Sequence, residues 1–308
     1  MSIKSEILKR LYKGEICGEL LARDLGVSRT AIWKNVKQLI SEGFDVQAKS
    51  RGYVLFGPTP LCKEGVAHYL NSFWSVDVVD ETPSTNDLAK IKGSEGCDRY
   101  AIIAKRQSKG RGRLQRPFFA PEGGIYLSVV IRPKLHVSEC GKITAYSAVA
   151  TARAIEKFGI SVGVKWVNDL YIGEKKVCGV LSEGSVGMEG GMLDYVVIGV
   201  GINVKDVKFP SELQDIATSL EKQTGSVIDL NKLSALVIEE LGKFSEEIKS
   251  GEFIKEYRAR SIITGARVYS AEDGEVTVLG IDDDCALIVD ASGVTKKYTA
   301  GEVSLRLR

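Results

Sequence analysis

Lys105-Arg106-Gln107-Ser108-Lys109-Gly110-Arg111-Gly112-Arg113-Leu114-Gln115-Arg116, running into Pro117-Phe118-Phe119, is the stretch on which the reading of the fold turns. Six of the first twelve residues are cationic and none is acidic. The glycines free the backbone for close approach to a ligand, and guanidinium forks suit carboxylate or phosphate oxygens. Alone, the run reads equally as an anion-binding loop, a solvated basic loop or a nucleic-acid-binding tract. It is not the ATP-binding P-loop, which requires Gly-x-x-x-x-Gly-Lys-Ser/Thr. The flanks decide the matter. Tyr100-Ala101-Ile102-Ile103-Ala104 before it and Ile125-Tyr126-Leu127-Ser128-Val129-Val130-Ile131 after it have the unbroken apolar character of buried strands. A basic glycine loop held between two core strands reads as a lid over a pocket.

Downstream, residues 138–158 read as a long apolar core helix. Lys165-Trp166-Val167-Asn168-Asp169 then places three polar groups between apolar strands, where polar atoms need partners. Either Lys165 pairs with Asp169 and staples the sheet, or both face a ligand. Lys176, across a charged hairpin, can reach the same pocket with its flexible point charge. Gly199-Val200-Gly201-Ile202-Asn203 is a strand whose glycines suggest close approach by a neighbouring chain or ligand, and no helix-opening Gly-x-Gly-x-x-Gly is present. Residues 205–216 read as a polar loop, 230–249 and 253–260 as helices, and 266–299 as four short strands of a small β-barrel. Asp282-Asp283-Asp284 lacks calcium-loop spacing and reads as an exposed turn.

Upstream, Glu81-Thr82-Pro83-Ser84-Thr85-Asn86 ends a strand and starts a helix, with Ser84 or Thr85 as its cap and its first N–H groups open to a ligand. Nearer the N-terminus, Ile3, Ile7, Leu8 and Leu11 form one helical stripe, and a second helix follows through Leu25. Gly26-Val27-Ser28 is a tight turn, and Ser28 caps a third helix over 29–41 with Ile32, Val36, Leu39 and Ile40 inward. Arg29, Thr30, Trp33, Lys34 and Lys37 occupy the opposite side. The strands 44–48 and 53–56 flank a basic tip carrying Lys49 and Arg51. A helix-turn-helix with a wing is the pattern for the DNA major groove; a small interaction module is the alternative. Residues 1–57 hold ten Lys and Arg against six Asp and Glu, a local net of +4. Gly57-Pro58-Thr59-Pro60 marks a boundary, giving segments 1–58, 59–262 and 263–308.

The whole chain of 308 residues is near charge balance at +2, so electrostatic arguments rest on local clusters. Its six cysteines are scattered singly and its two histidines lack metal-ligand neighbours. That argues against a disulfide frame, a zinc ribbon or a histidine base, and no protein-held metal site is expected. No apolar run approaches ~18 residues and no secretory signal opens the chain, so a cytoplasmic protein with no membrane partner is expected.

Together, Ser84-Thr85-Asn86, Gln107 with Gly110-Arg111-Gly112-Arg113, Lys165 to Asp169, Lys176-Val177-Cys178-Gly179-Val180-Leu181 and Gly199 to Asn203 resemble the biotin protein ligases. With the winged helix, the likeness is nearest to the bifunctional ligase–repressors. The resemblance implies an α+β multidomain fold: a winged helix-turn-helix, a class II synthetase-like catalytic domain with a mixed sheet, and a C-terminal SH3-like β-barrel. It implies that biotin and MgATP give biotinyl-5′-adenylate, whose biotin passes to a lysine of a carboxylase's biotin carboxyl carrier domain. Arg113, Lys165 and Lys176 would be catalytic. Ser84, Thr85, Asn86 and Gln107 would hold biotin with Gly110, Arg111, Gly112, Arg113, Lys176 and Gly179. The adenylate side would take Arg111, Arg116, Phe118, Lys165, Asn168, Asp169, Asn203 and Arg306. Ser28, Arg29, Thr30, Trp33, Lys34, Lys37, Lys49 and Arg51 would meet operator DNA, bound by an adenylate-loaded homodimer. Three positions depart from the family: Val167 replaces a proline, Gln115 a glycine and Phe118 a tryptophan. A lipoate-type ligase and a non-catalytic, metabolite-sensing transcription factor are the competing readings.

Overall fold

The computed structural model describes residues 2–187 and 190–299, together with the backbone of 306 and 307. The chain divides into two compact units, Met1–Ser72 with Ile228–Leu236, and Phe73–Val227 with Val237–Arg308. No helix among the described residues is long and apolar enough to cross a membrane.

In the first unit, α1 (Ile3–Lys13), α2 (Gly18–Asp24) and α3 (Arg29–Ser41) close around Ile7, Leu11, Leu21, Ile32, Val36 and Leu39. Ser28 caps α3 by accepting the Ala31 N–H at 3.1 Å, as its type favours. Ile40, expected on the inward stripe, is instead 41% exposed. One residue past Leu39 on a 3.6-residue turn, it has rotated out of the core. The hairpin β1 (Asp45–Lys49) and β2 (Gly52–Phe56) pairs antiparallel. Gly52 has φ +155°, and a Cβ there would stand 1.9 Å from the Ile16 carbonyl oxygen, so glycine is required for the wing to seat. After the boundary segment comes α4 (Lys63–Tyr69).

The second unit is built on a seven-stranded mixed sheet of β3 (Ser75–Thr82), β4 (Tyr100–Gln107), β5 (Ile125–Ile131), β6 (Gly163–Lys165), β7 (Asp169–Ile172), β8 (Lys175–Val186) and β9 (Leu193–Ile202). The spatial order is β3-β4-β5-β9-β8-β7-β6. β3 and β4 run parallel through the crossover helix α5 (Thr85–Ser94), and the other pairs are antiparallel. Every residue of β5 is buried, as a central strand covered on both faces must be. α6 (Cys140–Glu156) packs against β8; its alanines at 145, 148, 150, 152 and 154 are fully buried. Such small side chains let helix and sheet approach closely, and each buried Ile or Val of β5 adds roughly 1.5–3 kcal/mol.

α7 (Leu220–Thr224), α8 (Leu230–Gly242), α9 (Phe244–Ser250) and α10 (Phe253–Ala259) follow. The single helix expected over 230–249 is therefore two. The break falls at Lys243, directly after Gly242, against which the Trp74 ring packs 3.2 Å from the position a Cβ would occupy. The last element is a five-stranded antiparallel sheet of β10 (Arg267–Ser270), β11 (Gly274–Ile281), β12 (Leu287–Ala291), β13 (Val294–Tyr298) and β14 (Arg306–Leu307), in the order β13-β12-β11-β10-β14.

Candidate active site

One cavity of about 420 Å³ is walled by the 111–119 loop, the start of α5, the 165–171 turn, β8, β9 and the 203–217 segment. Its floor is bare backbone. A Cβ at Gly199 would stand 2.2 Å from Asn86 Oδ1, and one at Gly201 would stand 2.7 Å from the Phe118 ring. The two strand glycines thus admit the side chains that line the site.

The start of α5 differs from the expected cap. Ser84 is the N-cap residue, yet its hydroxyl makes no capping bond. Gln107 takes that role: its Oε1 accepts from the Thr85 N–H at 2.7 Å and the Thr85 hydroxyl at 3.1 Å. Parallel pairing sets Thr82 beside Gln107, so the amide reaches across one strand spacing. The Thr85 N–H expected to be open is thereby occupied. Asn86 Oδ1 accepts from Ser128 Oγ at 2.6 Å, and its Nδ2 donates to Glu183 at 2.7 Å. Ser128 and Glu183 were missed in the sequence, although a serine inside the apolar run 125–131 was the available signal.

The basic loop forms a tight hairpin. The Gly112 N–H donates to Arg116 O and the Phe118 N–H to Gly110 O, both at 2.8 Å. Its base is tied down by Ser108 N–H to Thr82 O and Lys109 N–H to Pro83 O. Gly110 shapes that base: a Cβ would come 2.6 Å from Phe118 O. Arg111 forms an ion pair with Asp87 of α5, while Gly112, Arg113 and Arg116 line the cavity. Leu114 and Gln115 both hold positive φ, +53° and +59°. At Gln115 a side chain therefore occupies the left-handed conformation that glycine adopts freely.

Lys165 and Asp169 are cross-strand neighbours, but the staple between them, one of the two alternatives, is not the contact formed. Asp169 Oδ1 instead pairs with Lys176 Nζ at 2.7 Å. The Lys165 ammonium lies 5.6 Å from the centre of the Tyr171 ring, within cation–π range. Burial lowers the Lys165 pKa, with Asp169 pulling it up and Lys176 pushing it down. Burial also lowers that of Arg113. Charged groups held in such surroundings are what developing anionic charge requires. The Asn168 amide donates to Val180 O and the Asn203 amide to Thr218 O, so both amides bind the frame while lining the cavity. The Arg306 side chain lies outside the described residues.

Trp166, Tyr171, Phe119, Phe209, Leu213 and Ile216 complete the wall. None of these six was predicted as a site residue. Phe209, Leu213 and Ile216 sit in the segment read as a polar loop, whose apolar residues have no periodicity to betray them.

In the first unit, Arg29, Thr30, Trp33, Lys34 and Lys37 of α3 are exposed, as are Lys49 and Arg51 at the wing tip. Trp33 keeps 51% of its surface in solvent, with Lys37 Nζ 5.9 Å from its ring centre. Lys49 lies 5.3 Å from the Phe56 ring centre. Ser28 points its oxygen into the cap of α3.

The Biotin/lipoate A/B protein ligase family model matches residues 78–203, an HTH domain model 4–54, and the Biotin protein ligase C terminal domain model 267–306. The bifunctional ligase/repressor BirA of Bacillus subtilis is 32% identical over 313 residues, covering 94% of both chains. That of Escherichia coli is 30% identical over 323 residues, covering 99% of this chain and 98% of its own. A biotin protein ligase from Aquifex aeolicus, solved with biotin and ATP, superposes with a TM-score of 0.67 at 28% identity, covering 77% of this chain and all of its own. With relatives this similar along nearly the full length, the chain belongs to the BirA family of bifunctional ligase/repressors, within the biotin protein ligases.

Proposed function

We propose that the protein is an ATP-dependent biotin–protein ligase that also represses transcription in response to biotin. The observation that carries the reading is the cavity itself. Arg113 and Arg116 from one loop, Lys165 from β6 and Lys176 from β8 converge on it, with Asp169 as the one carboxylate among the described lining residues. A biotin carboxylate and a triphosphate repel each other, and fixed cations in a partly dry site offset that repulsion.

In the first step a biotin carboxylate oxygen attacks the α-phosphate of ATP, forming biotinyl-5′-adenylate as the bond to pyrophosphate breaks. Ser84, Thr85, Asn86 and Gln107, with Gly179, hold the biotin end, and Arg111, Gly110 and Gly112 shape the loop over it. Arg113 and Lys176 hold the carboxylate and the charge that develops. Lys165, Asn168, Asp169, Arg116, Phe118 and Asn203 hold the nucleotide end, to which Arg306 is also assigned. Mg²⁺ would accompany ATP, as is usual for this ion at phosphates. Among the described residues no group of three His, Cys, Asp or Glu could hold it alone. The ion would supply neutralisation of phosphate charge beside Lys165 and Arg116. In the second step an acceptor lysine, as the free amine, attacks the mixed anhydride and AMP departs. The acceptor is the biotin carboxyl carrier domain of a biotin-dependent carboxylase, and the reaction is cytoplasmic.

The regulatory reading rests on the exposed cationic side of α3 and on the wing, within segment 1–58. The catalytic segment would span 59–262 and the C-terminal one 263–308. Past Val180, β8 pairs only with β9 among the described residues. A two-fold mate that added its own strand there would make the dimer, and an adenylate-loaded dimer would bind a two-half-site operator.

Biotin-dependent exchange of labelled pyrophosphate into ATP tests the ligase. Exchange supported by lipoate but not biotin transfers the reading to a lipoate-type ligase, and exchange with neither leaves only a sensing role. A gel shift with biotin-operon operator DNA, with and without adenylate, tests repression; no shift in either condition rejects it.

A further inference from the structure

The Asp282-Asp283-Asp284 turn between β11 and β12 has no part in the reaction as described above, yet it is built with unusual care. Asp282 Oδ1 accepts the N–H groups of Asp284 and Ala286, both at 2.9 Å, and its second oxygen pairs with Lys297 at 2.7 Å. Cys285 is held at φ +62°, a left-handed conformation that a residue with a Cβ adopts only when its surroundings enforce it. That conformation aims the Cys285 carbonyl at the catalytic half of the unit. There the Trp166 indole N–H donates to it at 2.9 Å, between two residues that are both buried.

Trp166 follows Lys165, precedes Asn168 and Asp169 closely, and itself walls the cavity. The same turn of chain is tied at Val167, whose carbonyl accepts the Tyr257 hydroxyl at 2.8 Å. Arg258, the next residue of α10, binds the other side: its Nε donates to Ile281 O at 2.7 Å, and its guanidinium pairs with Asp283 at 2.6 Å. Two consecutive helix residues thus hold the catalytic turn and the acidic turn against each other, and the indole bond closes the triangle.

From this arrangement we infer that the Asp282–Ala286 turn is a positioning element for adenylate formation. Through the Trp166 indole it fixes the segment that presents Lys165, Asn168 and Asp169 to the nucleotide. The inference rests on the ligase reading. Trp166 and Asp282 are positioning residues, because each acts through the placement of others.

The test uses the full chain and follows biotin-dependent pyrophosphate release. Trp166→Phe keeps an aromatic wall and removes the indole donor; Asp282→Ala removes the acceptor that shapes the turn. Each lowers kcat by roughly ten- to a hundredfold with little change in KM for biotin or ATP, as expected when reacting groups are displaced by an ångström or less. The double variant is no slower than the worse single one, since both break the same link. Asp282→Asn, which retains the acceptor oxygen, stays near the parental rate. Parental kcat in Trp166→Phe, or losses that multiply in the double variant, overturn the inference. Should Trp166→Phe not fold, judged by its thermal midpoint, Asp282→Ala decides alone: parental kcat overturns the inference and a selective loss of kcat supports it. A parent chain without biotin-dependent release would reject the ligase reading instead, a result distinct from an active parent with unaffected variants.

Discussion

Lys176 Nζ sits 2.7 Å from Asp169 Oδ1, reaching it across Gly179, where a Cβ would stand 3.1 Å from the ammonium. Strand register sets Asp169 opposite Gly179 and not opposite Lys176, so the ion pair depends on the bare glycine and the bulge beside Leu170. Asp169 holds the cation at the cavity wall, where the proposed reaction would bring a substrate carboxylate. Lys176→Ala is expected to lower adenylate synthesis by on the order of a hundredfold or more, the usual loss when one fixed charge-stabilising group is removed. Single-turnover synthesis at the parental rate would remove Lys176 from the mechanism.

Arg111 joins the basic loop to α5 through Asp87. The pair is partly exposed, so it is worth about 0–1 kcal/mol. Asp87→Asn should therefore release biotinyl-adenylate a few-fold faster in the absence of acceptor, with less effect on its synthesis. Adenylate retention by gel filtration checks this, and unchanged retention would show that the loop is held by its backbone bonds alone.

Burial lowers the Lys165 pKa below the ordinary lysine value, an effect that Asp169 partly opposes. The cation is the form that offsets phosphate charge, so it is lost as pH rises through that lowered value. The basic limb of kcat/KM for ATP should accordingly fall earlier than for a free lysine. Lys165→Arg, which stays protonated, should move this limb to higher pH; a limb unmoved in that variant assigns it to another group.

Gly201→Ala places a methyl group 2.7 Å from the Phe118 ring. Overpacking of this kind costs about 1–3 kcal/mol. The ring must tilt into the cavity, so KM for ATP should rise more than the thermal midpoint falls. Parental KM values with a lowered midpoint would make the clash purely structural.

On the exposed side of α3, Lys34 and Lys37 are expected to meet operator phosphates. The double change to alanine should weaken binding uniformly across operator variants and reduce the slope of log K against log salt by roughly two, about one for each phosphate no longer neutralised. A titration at several salt concentrations reads this directly, and an unchanged slope moves the DNA-binding surface elsewhere.

Much of the architecture was legible because local rules acted alone. The α3 bounds follow from Ser28 and an apolar stripe, and the buried strands expected at 100–104 and 125–131 follow from unbroken hydrophobicity, although β4 runs on through Gln107 into the basic stretch. The longer helical pattern at 230–249 misled, because the apolar periodicity continues across the single non-helical residue, Lys243, that separates α8 from α9. Ile40 misled because an inward stripe and its border differ by a single step of rotation.

By itself, the sequence determined which residues form helices and strands and which cationic and glycine-rich segments are available for chemistry, since propensity, capping and periodicity act over a few residues. Only the tertiary structure decided who meets whom. Asp169 goes to Lys176, Gln107 caps α5 in place of a serine, Phe209 and Ile216 close the cavity, and the Cys285 carbonyl finds Trp166. These pairings depend on strand order and on where a missing Cβ leaves room, and no local pattern encodes either.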